Sequence, residues 1–234
     1  MSEKRVWWRM LWAGDLLGRV GIITYFTYAA AEKISRIYTA LVNWPTLTVD
    51  HKLLWLLSEF ALLSFLLLVV TTTIFRLKPI LSAEGIEPRV TALAGTFLLG
   101  LLALTPPAAP LPPAVAASAF GLVAAGFLLS AYVLFWLGRS FSIIPEARQL
   151  ITSGPYSIVR HPLYLTEELA VIGVIILNFS LEAVLLGVVH WALQLRRMHN
   201  EERVLRAAFA NYQAYAAVTP RVIPQLFIPL RKPA

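Results

Sequence analysis

The chain contains no cysteine. A disulfide framework, a thiolate metal site and a cysteine nucleophile are therefore excluded. Charge is scarce as well: Asp, Glu, Lys and Arg make up 14% of the residues, where a soluble domain carries about 25%. No HExxH or other metal-ligand spacing occurs, so no metal is expected. No GxGxxG follows a strand-like run, so the phosphate loop of a soluble dinucleotide-binding fold is missing. There is no internal repeat and no linker long enough to separate two domains.

Apolar residues are what the chain has in excess. They form 58% of the 234 residues, and the mean hydropathy is +0.70. This excludes an ordinary cytosolic enzyme and a disordered chain, and points to one polytopic membrane domain over residues 1–234. The net charge of +7 reads as positive loops against anionic lipid head groups rather than nucleic-acid binding. Arginine outnumbers lysine 15 to 5, and alanine, leucine and proline are common. That composition suits a GC-rich bacterium, and hence a bacterial inner membrane. The N-terminus, MSEKRVWWRM, lacks a signal peptide's shape because Asp15 and Arg19 interrupt the apolar run, so it is expected to stay attached.

Six apolar stretches follow, at about 12–32, 53–75, 90–105, 114–137, 163–177 and 180–195. The second would reach about 34 Å as a helix, enough for a hydrocarbon core of about 30 Å. Residues 163–195 as one helix would be too long for one span, at about 50 Å. Asn178-Phe179-Ser180 sits in the middle. Ser180 is a good N-cap, and Glu182 falls where the helix dipole favours an anion. A tight helical hairpin is predicted. The N-terminus, loop 76–89, loop 138–162 and the C-terminal tail together hold sixteen Lys and Arg; loops 33–52, 106–113 and 178–179 hold three. Six spans with both termini cytoplasmic follow from that asymmetry. The uncharged TPPAAPLPP segment (105–113) is expected to be a short, stiff outside turn.

Polar and aromatic residues concentrate after residue 138. In Arg160-His161-Pro162, the proline favours the first helical position and His161 the cap. The free N–H groups of that first turn, with Arg160, form an anion-binding corner. The same residues would also serve as a plain membrane anchor. Tyr164 lies in the first turn, and Glu167 and Glu168 lie one turn further in. From Arg196 onward, Met198, Glu202, Leu205, Phe209, Tyr212 and Ala216 recur at intervals of four and three, an apolar stripe broken by one carboxylate. Glu202 therefore faces protein or membrane. Glu201 is turned about 100° away. Surface ion pairs Arg197–Glu201 and Glu202–Arg206 are the plainer reading of this helix. Asp15 and Arg19 are spaced to pair with each other. Glu59 lies in mid-span and needs a partner. His190 is expected to be a hydrogen-bonded packing residue.

GPYSIVRHPLY (154–164), then Glu201-Glu202, then FANYQAYAAVTPRVIP (209–224) resemble the isoprenylcysteine carboxyl methyltransferase family, whose core phospholipid N-methyltransferases share. The lead-in LGRSFSIIPEARQLITSG (137–154) is similar to bacterial members. The resemblance covers about 130–225 and divides the domain into variable membrane helices (1–137) and a methyltransferase core with the cofactor pocket (138–225). It implies an all-α polytopic bundle of about six transmembrane helices, with a C-terminal hairpin and a cytoplasmic amphipathic helix. It further implies a multi-pass enzyme using S-adenosylmethionine (SAM) to methylate a lipophilic acceptor: a prenylcysteine-like carboxylate, an isoprenoid or a lipid.

The residue types suit that cofactor. His161, Pro162 and Arg160 could hold its carboxylate, Glu201 and Glu202 its ammonium and ribose, and Tyr164, Tyr212 or Tyr215 its sulfonium. Tyr156, within the motif, joins the cofactor set. A carboxylate acceptor would need a cation such as Arg160, Arg197 or Arg139. An amine acceptor would need a base such as Glu168 or Glu202. The family commonly has glycine two residues after the motif tyrosine. Here Thr166 stands there, and it would narrow the approach or donate its hydroxyl to the cofactor.

Two other classes fit less well. An NADPH-dependent reductase of the sterol-reductase type shares a related core, but its C-terminal signatures are not evident. A transporter or scaffold would place polarity at the midplane, where this chain offers Glu59. The expected partners are the bilayer and a lipophilic substrate, with no nucleic acid and no metal.

Overall fold

The computed structural model describes residues 2–46, 51–104 and 109–224, with side chains from Leu16 onward apart from positions 17 and 103. Among the described residues seven α-helices carry the fold: α1 Ser2–Val42, α2 Lys52–Phe75, α3 Glu87–Phe97, α4 Pro113–Leu137, α5 Pro162–Leu177, α6 Leu181–Ala208 and α7 Tyr212–Val218. The expected all-α class holds. The only strands among the described residues are the two-residue pieces β1 Leu81–Ser82 and β2 Glu146–Ala147, paired antiparallel.

Among the described residues two helices, Lys52–Phe75 and Pro113–Ser140, are long and apolar enough to cross a membrane. Only a third of the most apolar window of the first is buried within the protein. Leu53, Phe60, Leu67, Ile74 and Phe75 lie along its exposed surface. An apolar surface that extensive requires lipid or a partner, not water. The third apolar stretch is α3 continued by a 3-10 segment, Leu98–Leu104. The first half of the Pro-rich turn, 105–108, lies outside the described residues, as does the side chain of Asp15.

The helices pack in the order α1, α2, α4, α5, α6, with α3 laid against α6. Small residues bring α4 and α5 together. A side chain at Gly126 would collide with the backbone of Ala170, and one at Gly173 would lie 2.7 Å from the Ala119 carbonyl. Close approach of this kind replaces the hydrophobic effect as the glue between helices in lipid. Thr166 joins the same seam. Its hydroxyl accepts from Ser130 on α4 at 2.9 Å and donates to the Leu163 carbonyl at 3.0 Å. The Thr166 hydroxyl is thus spent on helix packing.

The hairpin forms as its caps predict. Ser180 Oγ accepts from the Ala183 amide at 3.1 Å, and three residues separate α5 from α6. The following helix is not a separate element: the sixth apolar stretch and the Arg196 segment are one helix, α6. The apolar stripe does not run through to Ala216, because α6 ends at Ala208 and Phe209 turns extended. Asn211 then starts α7. Mid-span Glu59 finds its partner on α1, where Lys33 Nζ lies at 2.8 Å and Arg36 at 3.9 Å.

The loops at one end of the bundle are tied together. The Leu77 amide donates to Arg139 O at 2.9 Å, and Arg139 Nε donates to the Phe75 carbonyl at 2.7 Å. β1 and β2 continue that join. Gly154 turns the chain into the motif with φ of 60°, against the ring of Trp136.

Candidate functional site

The tied loops, the start of α5 and the C-terminal half of α6 enclose a cavity of about 280 Å³, near the lower end of the range for small-molecule sites, about 300–1,000 Å³. One wall is apolar: Phe26 from α1, Phe65 and Val69 from α2, and Phe127 from α4. The facing wall is polar and comes from α5, α6 and the segments around them. It presents Arg160, His161, Tyr164, Glu167, Arg197 and Glu201.

Pro162 starts α5 and His161 is its N-cap residue, as the sequence predicts. What fixes this corner is the segment after α7. The amides of Arg160 and His161 donate to the carbonyls of Pro220 and Arg221 at 2.8 and 3.1 Å. α7 is held by Tyr215, whose hydroxyl donates to the Tyr156 carbonyl at 2.6 Å. Burial pushes the Tyr212 and Tyr215 hydroxyls up to about 12 and the Tyr156 hydroxyl well above its ordinary range, with nearby Glu202 and Glu201 adding to the effect. All three stay neutral donors at physiological pH.

Glu202 sits behind the cavity wall and is 5% exposed. It accepts from His161 Nε2 at 3.0 Å, Arg221 at 3.1 Å and Arg206 at 3.1 Å, with Arg160 at 3.4 Å. Burial works to raise its carboxyl. The His161 hydrogen bond and the charges of His161, Arg160 and Arg221 outweigh that and hold it down at about 2. It is a hub that orients cavity residues. Glu201 reaches the cavity itself, accepting from the Tyr164 hydroxyl. The expected Glu202–Arg206 pair forms. Arg197 does not pair with Glu201. It turns inward, donates to Gln194 Oε1 at 2.8 Å and stacks 5.2 Å over the Tyr164 ring.

Eight of the cofactor and catalytic candidates named from sequence therefore line one cavity: Tyr156, Arg160, His161, Tyr164, Arg197, Glu201, Tyr212 and Tyr215. Pro162, Glu202 and Glu168 stand outside its lining. Glu168 faces His190 at 3.0 Å, so the α5 carboxylate that lines the cavity is the neighbouring Glu167. His190 and Gln194, 3.3 Å apart, line it too. The apolar wall was missed. No local motif marks Phe26, Phe65 and Phe127, which meet only through helix packing.

The residues present fit a cofactor with a carboxylate, an ammonium and a sulfonium. Arg160 Nε and Arg197 Nε are buried without a hydrogen-bond partner among the described residues, donors that an anionic group would satisfy. The Tyr164 ring already receives one cation on its face.

Residues 115–212 match the family model described as phospholipid methyltransferase. That family shares its core with the isoprenylcysteine carboxyl methyltransferases. The matched segment runs from α4 to the first residue of α7 and points to an integral membrane methyltransferase. Two curated relatives are similar over part of it. The cobalt-zinc-cadmium resistance protein CzcN of Cupriavidus metallidurans is 37% identical over 33% of this chain and 36% of its own length. The nickel-cobalt-cadmium resistance protein NccN of Alcaligenes xylosoxydans xylosoxydans is 29% identical over 35% of this chain and 38% of its own. The chain thus spans little more than a third of the relatives it matches.

Proposed function

We propose that the protein is a SAM-dependent methyltransferase. It acts on a lipophilic acceptor at the cytoplasmic face of a bacterial inner membrane, through six spans with both termini cytoplasmic. The observation that carries this reading is one cavity with two chemically opposed walls, inside the segment that matches the phospholipid methyltransferase family.

His161 and Arg160, at the amide-rich start of α5, hold the cofactor's carboxylate. Glu201 accepts from its ammonium or ribose, and the faces of Tyr164 and Tyr212 meet the sulfonium. Tyr156 lines this end, and Pro162 and Glu202 shape it without reaching in. Bound SAM supplies an electrophilic methyl group. The chain aligns the acceptor with that methyl and keeps water out, and positioning of this kind supplies much of the rate. Arg160 and Arg197 steady negative charge on the acceptor. Glu168 acts through His190, which it orients against the cavity. The apolar wall takes the acceptor's hydrocarbon body.

The test is cofactor binding by the detergent-purified protein, measured by calorimetry against SAM, its demethylated product and NADPH. Binding of SAM and its product, with no heat from NADPH, is expected. Binding of NADPH alone would replace this reading with a reductase.

A further inference from the structure

The carboxylates around the cavity are not equivalent. Glu146 is held by Ser82, Ser142 and Arg148, and Glu201 by Tyr164. Glu202 is held by four basic side chains, and Glu168 lies 3.0 Å from His190, outside the cavity lining, with its Oε1 making no hydrogen bond among the described residues. Glu167 lines the cavity and makes no hydrogen bond or ion pair among the described residues. Arg197 lines the same cavity and has no carboxylate partner among them. The site thus holds a carboxylate with no hydrogen-bond partner and a guanidinium with no carboxylate in ion-pair distance among the described residues, next to an apolar wall. Each is costly to bury unless it does something when a ligand arrives.

We infer that Glu167 is the general base of the reaction, and that the acceptor is a phenolic hydroxyl on a hydrophobic body. This rests on the methyltransferase reading above. A carboxylate acceptor would be repelled by Glu167 and would need no base. A protonated amine would be repelled by Arg197 and would carry its charge past the phenylalanines. A phenol is neutral as it enters and becomes anionic only as it reacts. Glu167 can take the proton while Arg197 steadies the oxygen. An alcohol gives up its proton too reluctantly for a carboxylate, whereas a phenol, near 10 like tyrosine, is within reach.

The step balances. The phenol O–H proton passes to the Glu167 carboxylate. An oxygen lone pair forms the new O–CH3 bond. The S–CH3 bond breaks with its electron pair kept on sulfur, turning the sulfonium into a neutral thioether. Glu167 then releases the proton to solvent. The products are an aryl methyl ether and the demethylated cofactor.

The test uses the full chain in detergent, with SAM carrying a labelled methyl group and three probes of equal chain length: dodecylphenol, dodecanoic acid and dodecylamine. Methyl transfer to dodecylphenol is expected, with the acid and amine at background. Glu167→Gln should lower kcat on dodecylphenol by about 100-fold or more, the range for a lost general base. SAM and dodecylphenol affinities, both measured by calorimetry, should stay within about threefold of the parent, since the amide keeps the shape and removes only the base. A nitro-substituted dodecylphenol, already ionised at the assay pH, needs no base and should recover most of the loss. Equal loss on both phenols would show that Glu167 only packs, and would overturn the inference. So would transfer to the acid or amine in preference to the phenol, or SAM binding with no transfer to the phenol; the methyltransferase reading would survive both. Failure of the parent protein to bind SAM would instead sink that underlying reading.

Discussion

Replacing Glu202 by glutamine removes one charge and little volume, and its cost can be worked from the geometry. Four basic side chains converge on this carboxylate within 3.4 Å. Its titration is held at about 2 instead of an ordinary 4.5, which corresponds to about 3 kcal/mol of folded-state stabilisation. The sign is that of a depressed acid. The contribution is fully present above about pH 5 and is lost as pH falls from there toward 2, when the folded protein must take up a proton. Glutamine removes the charge at every pH and leaves Arg160 and Arg221 facing one another. A domain of this size loses about 2–4 °C of melting temperature per kcal/mol, so a fall of about 6–12 °C is expected at pH 7. The assay is thermal unfolding of detergent-solubilised protein between pH 7 and pH 4. The gap between parent and variant should narrow toward the acid end. A variant that melts within about 2 °C of the parent at pH 7, or a gap that widens in acid, would refute the hub assignment.

Three further outcomes follow from the packing. Glu59→Gln strands Lys33 in the α1–α2 contact and should cost about 3 kcal/mol by thermal unfolding, with Lys33→Met in the same chain restoring most of it; SAM affinity should not change. Gly126→Val drives a side chain into Ala170 and should cost about 3 kcal/mol or prevent accumulation in the membrane, as seen by yield and unfolding. A cysteine placed at 110 should be labelled from outside the cell and one at Glu84 only after permeabilisation; labelling of both from one side would end the six-span layout.

Local signals in the sequence carried the fold further than the site. The hairpin was legible because Ser180 and Glu182 act within one turn of their own backbone. The start of α5 was legible because Pro162 limits its own φ. The continuity of α6 was not, since a run of arginines at the membrane edge reads equally as a boundary or as a helix leaving the lipid. In the site, spacing brought Glu201 and Glu202 into consideration together. It could not tell which one faces the cavity and which the arginines, because that depends on the segment after α7. The exchange of roles between Glu167 and Glu168 has the same origin: a rotation of about 100° per residue is known from sequence, but its phase relative to α6 is set by packing. Glu59 had no visible partner because Lys33 belongs to another helix.

The backbone bonds from Arg160 and His161 to Pro220 and Arg221 also bear on how the site is born. The start of α5 leaves the ribosome roughly sixty residues before the segment that secures it. Every helix up to α6 can therefore form while the polar wall is still without its clasp. A half-made chain would hold the greasy half of the cavity and not the charged half.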